Sequence, residues 1–228
     1  MDETRTPRQG LTRQTVIEAA LRLLDEVGLD GLSTRRLAAE LGVKSPALYW
    51  HFRDKQELLD RMAESILLAG GMGPPGEGES WQEWLTRRAH NYRAILLAHR
   101  DGARLVADSR LGPEAIRMFD RELAAMVACG FTPVLALRAI TALSRYVTGF
   151  VLQEQLVLRE QPERSGGGRE GAREEWSAAL AGLLPGGESA PLAVAVRDGG
   201  DLLGEQTFGY GVTALIDGTA TALRAAAE

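Results

Sequence analysis

At 228 residues the chain has room for one large domain or a small one joined to a larger one, and its 45% hydrophobic content, ordinary for a globular core, excludes disordered and collagen-like classes. The net charge of −5 is unevenly spread: residues 1–61 carry ten basic and ten acidic side chains, and the whole acidic excess lies beyond them. Nucleic-acid binding therefore stays open for the N-terminal part, because phosphate recognition depends on the charge of one face and not on the sum. The only lysines are Lys44 and Lys55. A polar, charged start and the lack of an 18-residue apolar run argue against a signal peptide or membrane span, so a cytoplasmic protein is expected. Cys129, alone in the apolar run "MVACGF", is expected to be a buried, inert thiol.

In chain order, Val16, Ile17, Ala20, Leu21, Leu24 and Val27 recur at helical spacing after Thr12, a capping residue, and stop at Gly28. Ser33 or Thr34 caps a second short helix, "RRLAAELG", that ends at Gly42. Ser45 caps a third, with Pro46 at its first position, where a missing N–H costs nothing. Asp54 and Glu57 resemble a capping box that opens a fourth helix running to about Ala69. "GGMGPPGEGES", Gly70 to Ser80, breaks the helical pattern and marks a boundary. A second box, Ser80 and Glu83, opens a fifth helix; a turn at Asp101-Gly102 and helices near 113–128 and 133–160 follow. Gln161 to Gly171 reads as a mobile loop, 173–184 as a short helix, and Pro185 to Gly200 stays unassigned. The last helix, Leu203 to about Ala226, carries Gly209, Gly211 and Gly218, which permit close helix contact although each costs about 1 kcal/mol relative to Ala. The fold class is all-α, with about nine to ten helices.

Helix two, the "LGV" turn and helix three have the spacing of a helix-turn-helix. An ordinary helical corner has the same spacing, but the next residues separate the two readings. Tyr49, Trp50 and His51 are consecutive ring side chains, and at 3.6 residues per turn three neighbours fan over about 200°, so one buried face cannot hide them all. Leu48 and Phe52 hold the segment down. Lys44, Ser45, Pro46 and Ala47 would then meet a major groove first, Tyr49, Trp50 and His51 would reach phosphates or thymine methyls, and Lys55 would add a charge at the next helix start. Arg35 could reach a guanine edge.

These residues carry a family resemblance. "LTRQTVIEAALRLLDEVGLDGLSTRRLAAELGVKSPALYWHFRDKQELLD" resembles the DNA-binding region of the tetracycline repressor (TetR) family over residues 11 to about 66. "GESWQEWLTRRAHNYRAILLAHRDGARLV" and "GEQTFGYGVTALIDG" are similar to that family's ligand-binding core, and 156–200 is least alignable. The resemblance implies a DNA-binding domain over 1–69 and an effector-binding and dimerisation domain over 70–228. It implies a homodimer that binds a palindromic operator through two helix-turn-helix units and is released by a small aromatic or polyketide-like effector, controlling an efflux or resistance gene. A constitutive or protein-sensing DNA-binding dimer is the alternative. An enzyme is not expected: three scattered histidines, one cysteine and no phosphate-cradling glycine motif give no catalytic set.

Trp84, Arg88 and Tyr92 stand at i, i+4 and i+8 on one helix face, a stripe suited to an oxygen-rich planar molecule. The resemblance adds Val106, Ser109, Arg110, Met118, Glu122, Arg145 and Gln153 as effector-pocket positions. Members that bind a drug–magnesium chelate use a histidine and a glutamate where this chain has Val106 and Gln153. No cofactor and a metal-free effector are therefore expected, anionic in view of Arg88 and Arg110.

Overall fold

A computed structural model of the protein describes residues 11–160, 178–179, 181–185, 190–197 and 203–226. The described residues are helical, with no strand among them. The elements are α1 (Arg13–Gly31), α2 (Thr34–Glu40), a 3-10 helix (Ser45–Trp50), α3 (Lys55–Ala69), α4 (Trp81–Leu97), α5 (Gly102–Ala107), α6 (Pro113–Ala128), α7 (Pro133–Glu160), α8 (Pro191–Arg197) and α9 (Glu205–Ala225). The loop expected over Gln161–Gly171 lies outside the described residues, and the short helix expected near 173–184 is described only at 178–179 and 181–183, which are helical.

Local side chains start these helices. Thr12 accepts a hydrogen bond from the Thr15 N–H, Ser33 from Arg36, and Asp54 from Glu57. Ser80 and Glu83 form the full reciprocal box: Ser80 Oγ accepts from the Glu83 N–H, and the Glu83 carboxylate accepts from the Ser80 N–H. At α3 the box is shifted by one residue, since Glu57 accepts from the Arg53 N–H at 2.8 Å.

The described residues differ from expectation in local details. The third helix is a 3-10 helix, closed by Ala47 N–H to Lys44 O and His51 N–H to Leu48 O, and Lys44, not Ser45, occupies the cap position without a side-chain cap bond. At Gly28, where helix one was expected to stop, the helical geometry is interrupted at φ 70°, ψ 174°, and one further short turn runs on to Gly31. Cys129 is exposed, because it lies at the end of α6 where the chain turns through Gly130. The stretch left unassigned from Pro185 to Gly200 contains α8.

The chain divides into two compact units. The first comprises Met1–Met72 with Ile95–Met118. Its core gathers Val16, Leu24, Leu37, Leu48, Phe52, Met62, Ile66, Ile95 and Leu105, each of which contributes about 1.5–3 kcal/mol when fully buried. The kink at Gly28 frees the Leu29 N–H, and the Asp101 carboxylate, itself in a left-handed residue at φ 60°, accepts it at 2.8 Å. Asp25 accepts from the Arg100 N–H, the Glu26 carbonyl accepts from the Arg100 guanidinium, and Asp30 pairs with Arg104 at 2.8 Å, so the end of α1 is fastened to residues 100–104. Buried Glu64 on α3 accepts the N–H groups of Glu114 and Ala115 at the start of α6, neutralising the donor-rich helix end.

The second unit comprises Gly73–Ala94 with Phe119–Glu228. Trp84, Leu85, Met126, Ile140, Val147, Phe208 and Val212 form its core. Arg93 on α4 is its main polar tie: both Glu154 oxygens on α7 and one Glu205 oxygen on α9 accept from its guanidinium, which also lies 4.7 Å over the Phe208 ring. The Tyr146 hydroxyl on α7 reaches the Thr207 and Phe208 carbonyls of α9 at 3.2 and 3.0 Å. It can do so because residue 211 is glycine; a Cβ there would stand 2.2 Å from that hydroxyl. Within α7, Pro133–Leu156 is apolar and long enough to cross a membrane, with mean hydropathy 1.3, but core helices pass the same test, and Ser144, Tyr146, Thr148 and Glu154 on it are bonded to α4 or α9.

Candidate DNA-reading surface and effector site

In the first unit, α2 ends by donating the Leu41, Gly42 and Val43 N–H groups back to Leu37, Ala39 and Ala38, with Gly42 in the left-handed region at φ 64°. This turn aims the next segment. Leu48 and Phe52 enter the core beside Leu37 and Ala38, and with those two side chains fixed the rest of the 3-10 helix must face outward. Three residues per turn place Leu48 inward and its two successors on other faces. Trp50 is 89% exposed and Tyr49 53%, while His51 is half-buried. An indole at that exposure stabilises almost nothing in the isolated unit, so its hydrophobic area is available to a partner.

All nine residues expected at the DNA fall in this unit. Arg35, Lys44, Pro46, Tyr49, Trp50 and Lys55 are exposed, and Ser45, Ala47 and His51 are half-buried. Lys55 also borders a cleft of about 330 Å³ with Asp30, Arg104 and Asp108, so its ammonium stands among charges of both signs. Arg13 and Arg53, not singled out in the sequence, bring two further cations beside the ring segment. Arg13 lies 5.1 Å over the Phe52 ring, and both pair with Glu57. The Arg53 N–H, then the Arg53 and Arg13 guanidinium groups, hold the Glu57 carboxyl below its ordinary range.

The ten residues expected at the effector are divided between the two units. Val106, Ser109, Arg110 and Met118 belong to the first unit. There Ser109 Oγ donates to a backbone carbonyl, that of Leu105 at 2.6 Å, and Arg110 is exposed with its N–H on Asp60. Trp84, Arg88, Tyr92, Glu122, Arg145 and Gln153 belong to the second unit. Of these, Arg145 and Gln153 are exposed and border a cleft of about 440 Å³ with Tyr146, Gly149, Phe150 and Thr207.

The other four are buried, and three of them build a polar layer inside the unit. Arg88 Nε donates to Glu122 Oε2 at 3.0 Å, and Nη1 donates to Ser144 Oγ at 3.0 Å. One turn along α4, the Tyr92 hydroxyl meets Thr148 Oγ1 at 3.1 Å. Thr148 spends its own proton on the Ser144 carbonyl at 2.9 Å, so Tyr92 is the donor in that bond. Trp84 closes the stripe, its Nε1–H on the Gly73 carbonyl at 2.7 Å. Burial pushes the Tyr92 hydroxyl above its ordinary pKa, and burial pushes the Glu122 carboxyl up against the opposing pull of Arg88. Ser144 and Thr148 were missed in the sequence; their signal was an i, i+4 pair of hydroxyls on a helix otherwise carrying Leu143, Val147 and Val151 inward. The pairing removes one of the two grounds for an anionic effector, since the Arg88 charge is already matched by Glu122.

A helix-turn-helix unit with outward rings, followed by a helical unit with a polar layer buried in an apolar core, is the architecture of a helix-turn-helix transcriptional regulator. The family model for bacterial regulatory proteins of the tetR family matches residues 16–62, and that for the tetracyclin repressor-like C-terminal domain matches 74–222. The class A tetracycline repressor from transposon 1721 of Escherichia coli is 43% identical over 157 residues, covering 68% of this chain and 73% of the relative. A variant of TetR from Acinetobacter baumannii, in complex with minocycline, superposes with TM-score 0.70 at 33% identity, covering 92% and 97% of the two chains. The TetR family protein ActR of Streptomyces coelicolor, in complex with (S)-DNPA, gives TM-score 0.76 at 28% identity over 93% and 98%. The chain belongs to the TetR family of transcriptional regulators, a family of DNA-binding proteins and not of enzymes.

Proposed function

We propose that the protein is a homodimeric repressor that binds a palindromic operator in the cytoplasm and leaves it when a small aromatic or polyketide-like effector binds, controlling an efflux or resistance gene. The observation that carries this reading is the pairing of Arg88, Glu122, Ser144, Tyr92 and Thr148 in an otherwise apolar interior. A few convergent polar groups among aromatic side chains are what fixes and orients a drug-sized ligand. The relatives bound to minocycline and to (S)-DNPA support the same ligand class.

Exposed Val134, Leu137 and Leu156 on α7 and Tyr210 on α9 argue for a face covered by a second copy. Dimerisation sets two reading surfaces to two half-sites, whose centres lie about 34–36 Å apart, one helical turn of DNA. An effector that prefers a conformer with another spacing lowers DNA affinity by the ratio of its affinities for the two conformers. α6 offers a covalent route for that preference, since its start is capped by Glu64 and its residue Glu122 holds Arg88.

Against a magnesium-chelated effector, Val106 supplies no ligand atom and Gln153 only an amide, at the two positions where the resemblance implies a histidine and a glutamate. The burial of Trp84, Tyr92 and Glu122 also fits a constitutive DNA-binding dimer with a filled interior. A thermal-shift panel of aromatic and polyketide compounds separates the two. Stabilisation by at least one, with loss of binding to the DNA upstream of the gene, supports the repressor; no stabiliser in a broad panel supports the constitutive dimer.

A further inference from the structure

Glu57 lies in the first turn of α3, and its one carboxylate serves two guanidinium groups. Arg13, at the start of α1, donates to Oε1 from Nη2. Arg53, in the link that follows the ring segment, donates to Oε2 from Nε at 3.1 Å and from its backbone N–H at 2.8 Å. The Glu57 side chain is 14% exposed and that of Arg53 87%. One side-chain nitrogen of each arginine is thus docked on the carboxylate, while Nη1 and Nη2 of Arg53, and Nε and Nη1 of Arg13, have no hydrogen-bond partner among the described residues. The Arg13 guanidinium also rests 5.1 Å over the ring of buried Phe52, so its place is fixed from two sides.

DNA of the wrong sequence is held by phosphate charge alone, so a guanidinium free to swing toward any phosphate strengthens binding in every register. A guanidinium held in one orientation strengthens only the register that brings a phosphate to its free nitrogens. We propose that Glu57 is a specificity-determining positioning residue. By fixing Arg13 and Arg53 and offsetting one of their two charges, it confines their phosphate contacts to the register in which the ring segment is seated on operator DNA. The arginines touch phosphate, and Glu57 acts through them. The inference rests on the DNA-reading assignment of the ring segment and adds the residue that weakens the competing, sequence-independent complex. Asp54, three residues earlier and exposed, offers a contrast: it accepts the Glu57 N–H at 2.8 Å and is paired with no cation among the described residues.

The test compares full-length wild type, Glu57→Gln and Asp54→Asn by fluorescence anisotropy on two duplexes, one selected by the wild type from a random pool and one of random sequence. Glutamine can still accept the Arg53 N–H, and asparagine caps a helix as aspartate does, so each variant removes one negative charge and keeps its backbone bond. Glu57→Gln should tighten binding to the random duplex about fivefold, steepen its salt dependence by about one phosphate contact, and leave the selected duplex within about twofold. Asp54→Asn should leave the preference between the duplexes within about twofold of wild type. An unchanged preference in Glu57→Gln, an equal change on both duplexes, or an equal fall in preference in Asp54→Asn overturns the assignment. Failure of the wild type to select any sequence removes the DNA-reading assignment itself. If Glu57→Gln does not fold, Arg53→Gln decides: it should weaken the selected duplex about fivefold and the random one by less than about twofold, and equal weakening of both overturns the proposal.

Discussion

Trp50 and Glu122 mark opposite limits of what one residue can show. Trp50 contributes its area to nothing inside the first unit, so Trp50→Ala should leave the unfolding free energy from urea titration within about 0.5 kcal/mol of wild type, as for surface substitutions generally. The same change should weaken binding to upstream DNA roughly tenfold by fluorescence anisotropy, the worth of one good contact. Unchanged DNA affinity would remove Trp50 from the reading surface. That the rings point outward was legible in the sequence, because no helix hides three neighbours. The partner of Arg88 was not, since Glu122 lies 34 residues away and only packing of α4 on α6 brings them together. Glu122→Leu alone strands a buried guanidinium and should cost about 3–5 kcal/mol, whereas Arg88→Met with Glu122→Met should be near neutral or stabilising. The pH dependence follows from the same burial. Glu122 holds its proton more tightly folded than unfolded, so the stability it contributes is fully present below the ordinary value of 4.5 and is lost as pH rises through the raised folded value. Glu79 acts oppositely: Arg87 and the Gly76 N–H hold it at about 2, so its contribution is present above 4.5 and lost as pH falls toward 2. The Met/Met variant isolates the Glu122 part, and its stability advantage should be larger at pH 7 than at pH 4.

At the scale of elements, the cap residues Thr12, Asp54 and Ser80 with Glu83 act as their spacing implies, because capping is local and needs no tertiary partner. What spacing could not distinguish was α from 3-10 in a six-residue helix, where the two patterns differ by a single register of hydrogen bonds. The continuation past Gly28 escaped the sequence for another reason: the Leu29 N–H it frees is satisfied by Asp101, 72 residues on. Glycine in α9 reads as a licence for close contact, and one position uses it. Gly211→Ala would drive a methyl into Tyr146, breaking its bonds to the Thr207 and Phe208 carbonyls, and should cost about 1–3 kcal/mol. Tyr146→Phe, which removes the bonds without the clash, should cost about 1 kcal/mol in the same urea titrations. Equal costs would mean that α9 shifts to absorb the methyl.

For the whole molecule, the balance of charge is itself a prediction. The reading unit binds DNA from within an acidic chain, so binding should depend steeply on salt, weakening as log salt rises with a slope set by the phosphates contacted. Sedimentation at micromolar concentration should find a dimer. The most direct measurement is the linkage between the two ligands: anisotropy of labelled upstream DNA, titrated with the protein alone and with a saturating effector from the thermal-shift panel. The repressor account predicts that the effector weakens DNA binding by tenfold or more, and that saturating DNA weakens effector binding by the same factor, because the coupling is reciprocal. Identical DNA affinity with and without a bound effector would contradict it.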